Sequence, residues 1–213
     1  MKLLLTSNGL TNKSIVNALK EMAGEELRFA FIPTGANTVT EEKNWVLLNL
    51  LECSQLGETD IVDFSALPKE EWLPRMQWAN VIVMEGGDTE HIIECAKASG
   101  FDKELSELLK DRVYVGISGG SIAMSKKIST AKRYISTENP NDAPAGFGYV
   151  EFDFRPHLNA KKFPKYTIEY FEPFLKKING KTYLVDDDTA LVVTDNKVHV
   201  VSEGTWKLVE GKK

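Results

Sequence analysis

The run Val115-Gly116-Ile117-Ser118-Gly119-Gly120-Ser121 has the residue types and spacing of a serine nucleophile on a sharp turn. An elbow of that kind needs a buried strand, a strained backbone at the nucleophile and a helix leaving at once. The residues two before and two after must be small so that strand and helix can approach. Gly116 and Gly120 hold those two positions around Ser118. The helix start would offer backbone N–H groups and a positive dipole end to a developing oxyanion. A glycine-rich turn that only lets elements pack, or that cradles a phosphate, fits the local pattern equally well. Ser121 is a rival hydroxyl, but it falls inside the helix, where a capping or packing role is expected.

Met84-Glu85-Gly86-Gly87-Asp88-Thr89 is a second strand–glycine–helix junction. Two adjacent glycines can present N–H groups to a substrate oxygen, although an ordinary turn capped by Asp88 explains the same residues. A serine needs a base to take its proton, and the chain has three histidines. His91 falls in a helical pattern and His199 in a terminal strand, whereas His157 follows Pro156 on a segment read as a loop facing a cleft. Asp186-Asp187-Asp188 ends an apolar strand pattern. One of these carboxylates can hold the imidazole, and the others read as a solvated turn. No His or Cys accompanies them at metal-ligand spacing, so no metal is expected.

The elements that must position these groups alternate between short apolar runs and helical patterns, which predicts α/β layering around a parallel sheet. Strands are expected at Lys2–Thr6, Arg28–Pro33, Ile61–Phe64, Asn80–Met84, Val113–Ile117, Tyr149–Phe154, Thr182–Val185, Ala190–Thr194 and Lys197–Val201. The last two are joined by an Asp195-Asn196 turn. Helices are expected around Ile15–Met22, around Trp45, Leu48 and Leu51 with Leu47 beside them, and over Asp88–Ala98, Lys103–Leu109 and Tyr166–Ile178. Pro173 should kink the last of these. Residues 126–148, with Pro140, Pro144, Gly146 and Gly148, read as one long functional loop. No repeat or second core is visible, so residues 1–213 are expected to form a single domain. Ligands of an open α/β sheet gather at the carboxyl ends of its strands, where both glycine junctions would lie.

Composition narrows the classes of function. With 42% apolar and 27% charged residues the chain is an ordinary globular sequence. A net charge of −5 argues against nucleic acid as a partner. No apolar run approaches the roughly 18 residues of a membrane span. Three leucines before Thr6-Ser7-Asn8 are too few for a signal-peptide core. Cys53 and Cys95 are expected to be free, buried thiols in a reducing cytoplasm.

Taken together, Phe31-Ile32-Pro33-Thr34, Glu85-Gly86-Gly87-Asp88-Thr89, Gly116-Ile117-Ser118-Gly119-Gly120, Pro156-His157 and Asp186-Asp187-Asp188-Thr189-Ala190-Leu191 resemble the peptidase E and cyanophycinase family of serine peptidases. The resemblance implies a three-layer α/β sandwich with a mostly parallel central sheet, of the class I glutamine-amidotransferase-like (flavodoxin-like) kind. It also implies a small peptide substrate and no metal or organic cofactor, and it leaves a homodimer open. Its peptidase E branch cleaves after an N-terminal aspartate; its cyanophycinase branch releases β-aspartyl-arginine dipeptides. Carried over residue by residue, Ser118 corresponds to the nucleophile and His157 to the base. The Gly86 or Gly87 N–H, with that of Gly119, corresponds to the oxyanion hole.

Two departures stand out. The family commonly has Ser-Ala-Gly where this chain has Ser118-Gly119-Gly120. It has Gly-Gly-Gly-Asn-Thr where this chain has Glu85-Gly86-Gly87-Asp88-Thr89, so Glu85 brings a negative charge toward the site. One branch takes its orienting acid from the position of Asp187, usually a glutamate; the other takes an aspartate from a segment matched here by Ser136-Thr137-Glu138-Asn139. Asp187 ranks ahead of Glu138 because a strand end holds its backbone while Glu138 sits in the proline-containing loop; Asp186 is a third candidate. Arg133, Arg155, Lys161, Lys162 and Lys165 are the cations available to an acidic substrate. The other readings are a non-catalytic, ligand-sensing homologue and an ester or amide hydrolase of different specificity on the same scaffold.

Overall fold

The computed structural model describes residues 1–212. In chain order its elements are β1 (Lys2–Thr6), α1 (Lys13–Ala23), β2 (Arg28–Ile32), α2 (Asn44–Leu56), β3 (Glu58–Ile61), α3 (Lys69–Trp78), β4 (Val81–Met84), α4 (Thr89–Ser99), α5 (Phe101–Leu108), β5 (Val113–Ile117), α6 (Gly119–Ile122), β6 (Asp153–Leu158), α7 (Ile168–Leu175), β7 (Lys181–Asp186), β8 (Thr189–Thr194), β9 (Lys197–Ser202) and β10 (Trp206–Glu210). Single 3-10 turns lie at Thr34–Ala36 and Pro140–Asp142.

Seven strands form the main sheet in the order β3-β2-β4-β5-β1-β8-β9. The five from β3 to β1 are parallel, and β8 and β9 are antiparallel additions. Alternating side chains divide its core into two layers. Leu3, Leu5, Ile82, Met84 and Tyr114 point to one face, and Leu4, Phe29, Val81, Val83 and Val115 to the other. Helices cover both faces, as a parallel sheet requires. A second sheet, in the order β10-β7-β6, carries α7 on a core of Leu158, Phe171, Leu175, Leu184 and Val209. Nothing in the apolar pattern distinguishes its strands from those of the main sheet.

The helix starts follow local chemistry. Asn12 caps α1 by accepting the Ile15 N–H, and Asp88 caps α4 by accepting those of Glu90 and His91. Five elements depart from expectation. The strand expected at Ile61–Phe64 lies earlier, at Glu58–Ile61, and β10 has no counterpart among the expected strands. In α2 the face of Leu47, Leu48 and Leu51 is turned outward, exposed by 63%, 59% and 50%. Asn49 and Cys53 point inward instead, because Asn49 has a buried polar partner to reach. Helix α3 contains Pro74 and was not expected; Trp72 and Met76 anchor it in the core. The strand expected at Tyr149–Phe154 begins later, so His157 lies within β6 rather than on a loop.

Topology positions the chemistry. Strands β1, β4 and β5 run parallel and in register, so Thr6, Met84 and Ile117 all end at one edge of the sheet. Strand β8 runs the other way beside β1, with Ala190 opposite Thr6. The Asp186–Asp188 turn that feeds β8 therefore arrives at that same edge. Among the described residues, no helix is long and apolar enough to cross a membrane.

Candidate active site

Ser118 joins β5 to α6 with φ 49° and ψ −107°, outside the regions that a side chain normally allows. Backbone strain of this kind costs about 1–3 kcal/mol and persists here because the surroundings hold it. The Ser118 N–H donates to the Thr6 carbonyl at 3.0 Å, and the Ser118 carbonyl accepts the N–H groups of Ser121 and Ile122. A Cβ at Gly116 would stand 2.8 Å from the Ser121 Cα, and one at Gly120 would run into the Met84 carbonyl. Strand and helix meet too closely at both positions for any larger residue. Ser121 is buried and donates to the Thr6 carbonyl at 2.8 Å, which removes it as a rival nucleophile.

His157 reaches this serine because β6 is irregular. The register between β6 and β7 shifts between Arg155 and Leu158, and His157 sits in the bulge with φ 68°. Its Nε2 lies 2.8 Å from the Ser118 Oγ and its Nδ1 lies 2.8 Å from Oδ1 of Asp187. The backbone N–H of His157 donates to the Ser7 hydroxyl at 2.9 Å, and that hydroxyl donates to the same Asp187 oxygen at 2.7 Å. Thr11 donates to the Asp187 carbonyl and Asn12 to that of Asp188, which pins the acidic turn to the start of α1. Burial pushes the Asp187 carboxyl up. The His157 hydrogen bond and charge and the Ser7 hydrogen bond outweigh it, leaving the carboxyl below its ordinary range.

The other candidates separate cleanly. Asp186 accepts from the Asp188 N–H, the Thr189 hydroxyl and the Thr205 N–H, so it is tied into its own turn. Glu138 is exposed on the loop and does not line the cleft. His91 contacts Cys95 within α4, at 3.4 Å, and His199 is exposed on β9. Both cysteines are free; Cys53 is buried, but Cys95 only partly so. No group of three or more His, Cys, Asp or Glu among the described residues could hold a metal ion.

The two glycine segments face each other across the elbow. A Cβ on Gly119 would lie 3.4 Å from the Gly87 nitrogen, and one on Gly86 would lie 3.0 Å from the Ser118 Cβ. Gly86 departs from expectation: its N–H turns away and donates to Oε1 of Glu85 at 2.6 Å. Gly87 has φ 110°, and its N–H and that of Gly119 donate no hydrogen bond among the described residues. Two free donors thus flank Ser118, and Gly86 is not one of them.

Glu85 itself is fully buried. Its second oxygen accepts from the Asn49 amide at 2.8 Å. Burial, set against these two hydrogen bonds and reinforced by the charge of Glu52, raises its pKa to about 7. The sequence suggested an extra negative charge facing the substrate. The side chain instead is buried and turned onto the Gly86 N–H and the Asn49 amide. Sequence reasoning also missed Ser7. Its place immediately after β1, at the carboxyl edge of the sheet, was the available signal.

The site opens into a cleft of about 1120 Å³, above the usual 300–1,000 Å³ of a small-molecule pocket. Lys132, Arg133, Arg155, Lys161 and Lys162 line it, and Lys165 does not. Phe163 tilts against the His157 ring at 5.2 Å and stacks on Tyr166 at 4.8 Å, forming an aromatic wall.

A sequence model of peptidase family S51 matches residues 3–201. A candidate peptidase E protein from Listeria monocytogenes EGD-e has a similar structure, with a TM-score of 0.76 and 21% identity over 95% of this chain and 98% of that one. A peptidase from an acI-B1 Actinobacterium is similar with a TM-score of 0.69 and 20% identity, over 100% of this chain and 95% of that one. At these identities the two structures bear on the fold alone. A search of curated proteins finds no match.

Proposed function

The chain belongs to peptidase family S51, and from that membership we propose that it is a serine peptidase that hydrolyses short aspartyl peptides, Asp-X dipeptides above all, through Ser118, His157 and Asp187. The observation that carries the reading is the unbroken chain Ser118 Oγ–His157 Nε2 and His157 Nδ1–Asp187 Oδ1, 2.8 Å at each link. A tautomer with the proton on Nδ1 satisfies both contacts: Nδ1–H donates to the carboxylate, and bare Nε2 accepts from the serine.

In the first half of the reaction Nε2 takes the serine proton as Oγ attacks the scissile carbonyl carbon. The carbonyl π pair moves onto oxygen, where the free N–H groups of Gly87 and Gly119 receive it. The imidazolium, supported by Asp187, then protonates the leaving amine as the C–N bond breaks. This leaves an ester on Ser118. In the second half His157 deprotonates a water that attacks the ester, and Ser118 departs with the returned proton. Each proton taken is given back, and neither metal nor organic cofactor is required.

Preference for aspartate rests on the family resemblance and on the cations that line the cleft. Cytoplasmic location and a peptide-only partner are part of the same proposal. A fluorophosphonate probe followed by peptide mapping tests the nucleophile, and a panel of Asp-X and β-Asp dipeptides tests the substrate. Labelling at Ser118 with turnover of Asp-X supports the reading. Labelling without turnover of any aspartyl peptide would make this a hydrolase of other specificity, and no labelling would make it a ligand-binding homologue.

A further inference from the structure

One cation in the cleft differs from the rest. Arg155 lies on β6 two residues before His157 and lines the cleft that Ser118, Gly87 and Gly119 line, yet it is only 3% exposed. A buried guanidinium ordinarily has a carboxylate partner, because an uncompensated charge away from water is costly. Among the described residues, Arg155 forms no salt bridge with any acid. Its Nη1 donates to the Thr130 carbonyl at 2.8 Å, and its Nε has no partner. The guanidinium carbon stands 4.8 Å from the Tyr166 ring centre and 4.3 Å from that of Phe171. The Thr130 carbonyl, the Tyr166 side chain and two ring faces orient the cation, and none of them is a carboxylate.

Most acids near the reacting groups are engaged elsewhere, and Asp188, which also lines the cleft, is exposed to water and pairs with no cation among the described residues. Asp187 serves His157 and Ser7, Asp186 serves its own turn, Glu85 holds Gly86 and Asn49, Asp88 caps α4, and Glu90 pairs with Arg133 at the rim. Lys132, Lys161 and Lys162 are exposed, and exposed lysines bind anions weakly because water already solvates them. A planar fork clamped between aromatic faces is pre-organised for a carboxylate.

We propose that Arg155 binds a carboxylate of the substrate beside the reacting serine. The proposal rests on the peptidase reading for its location beside the reacting serine, but it makes its own demand on binding. Two carboxylates could fill the role, that of an aspartyl side chain and that of the peptide's C-terminus, and both present the same two oxygens.

The test separates binding from turnover. Calorimetry on Ser118→Ala and on Ser118→Ala/Arg155→Gln would measure affinity for Asp-Leu, Asn-Leu and Asp-Leu amide, alongside thermal unfolding of both proteins. The expected loss for Asp-Leu on replacing Arg155 is on the order of 10²-fold, the scale of an unpaired buried charge contact. The peptide lacking the recognised carboxylate should bind both proteins about equally. If Asn-Leu is that peptide, the side chain is recognised; if the amide is, the C-terminus is. Equal loss for all three peptides, or no loss for any, would overturn the proposal, as would no measurable binding by the folded Ser118→Ala protein. Arg155→Lys keeps the charge and loses the fork, so intermediate affinity is expected even if the glutamine variant folds poorly. Should the peptides bind in this pattern while the unmodified enzyme turns none of them over, Arg155 would stand and the peptidase reading would fall.

Discussion

Ser7 and His157 share one oxygen: the Ser7 hydroxyl donates to Oδ1 of Asp187 at 2.7 Å, and His157 Nδ1 lies 2.8 Å from that same atom. Ser7 also accepts the His157 backbone N–H. One hydroxyl therefore holds both the Asp187 carboxylate and the His157 main chain. Ser7→Ala should leave the fold intact and lower kcat by about 10- to 100-fold, the scale of a hydrogen bond to a charged group. Steady-state kinetics beside a melting curve check this, and an unchanged kcat would reduce Ser7 to a packing residue.

The acid should be local to the β7–β8 turn. Asp187→Asn keeps the shape but removes the charge that supports the imidazolium, and turnover should fall by up to about 10⁴-fold. Glu138→Gln, on an exposed loop, should change turnover by less than about twofold, since surface substitutions away from such features are near neutral. Both are assayed on one Asp-X dipeptide. The reverse ranking would move the orienting acid to the loop.

Glu85 gives a stability prediction with a definite sign. Its pKa is raised from an ordinary carboxyl value to about 7 in the folded chain, so between those two values the folded state binds more protons than the unfolded state. Stability from this group is full below about pH 4.5, the ordinary range of a glutamate carboxyl, and is lost as pH rises through about 7. Glu85→Gln removes the titration. Its amide can still accept the Gly86 N–H, and Asn49, with its amide turned over, can accept the new N–H. The fall in melting temperature between pH 5 and pH 8 should therefore be smaller in Glu85→Gln than in the parent. An identical fall in both would show that Glu85 does not titrate in that window.

Much of this was legible in the sequence where a local rule decides alone. The ends of β1 and β5 follow from apolar runs closed by polar or small residues, and the Asp88 cap follows from side-chain chemistry. The positive φ at both Asp195 and Asn196 is what the two-residue turn between β8 and β9 demands. Ser118 was legible because Gly116 and Gly120 bracket it. The failures come from contacts distant in sequence. Helix α2 turns Leu47, Leu48 and Leu51 outward because Asn49 reaches Glu85, thirty-six positions away. Pro74 obscured α3, whose register is set by Trp72 and Met76 in the core. His157 was assigned to a loop because a bulge in β6 leaves no apolar signature. Whether a glycine N–H is free or already taken, the difference between Gly87 and Gly86, depends on where the Glu85 carboxylate lies.

The most direct test compares hydrolysis of one Asp-X dipeptide by the parent protein, Ser118→Ala and Ser121→Ala. Ser118 carries the proposed nucleophile, while the Ser121 hydroxyl is committed to the Thr6 carbonyl. The parent should turn the peptide over. Ser118→Ala should lose on the order of 10⁴- to 10⁶-fold in kcat, and Ser121→Ala should stay within about tenfold, the loss of one buried hydrogen bond. Parent-level turnover by Ser118→Ala, or a collapse confined to Ser121→Ala, would contradict the assignment of Ser118 as the nucleophile of this peptidase.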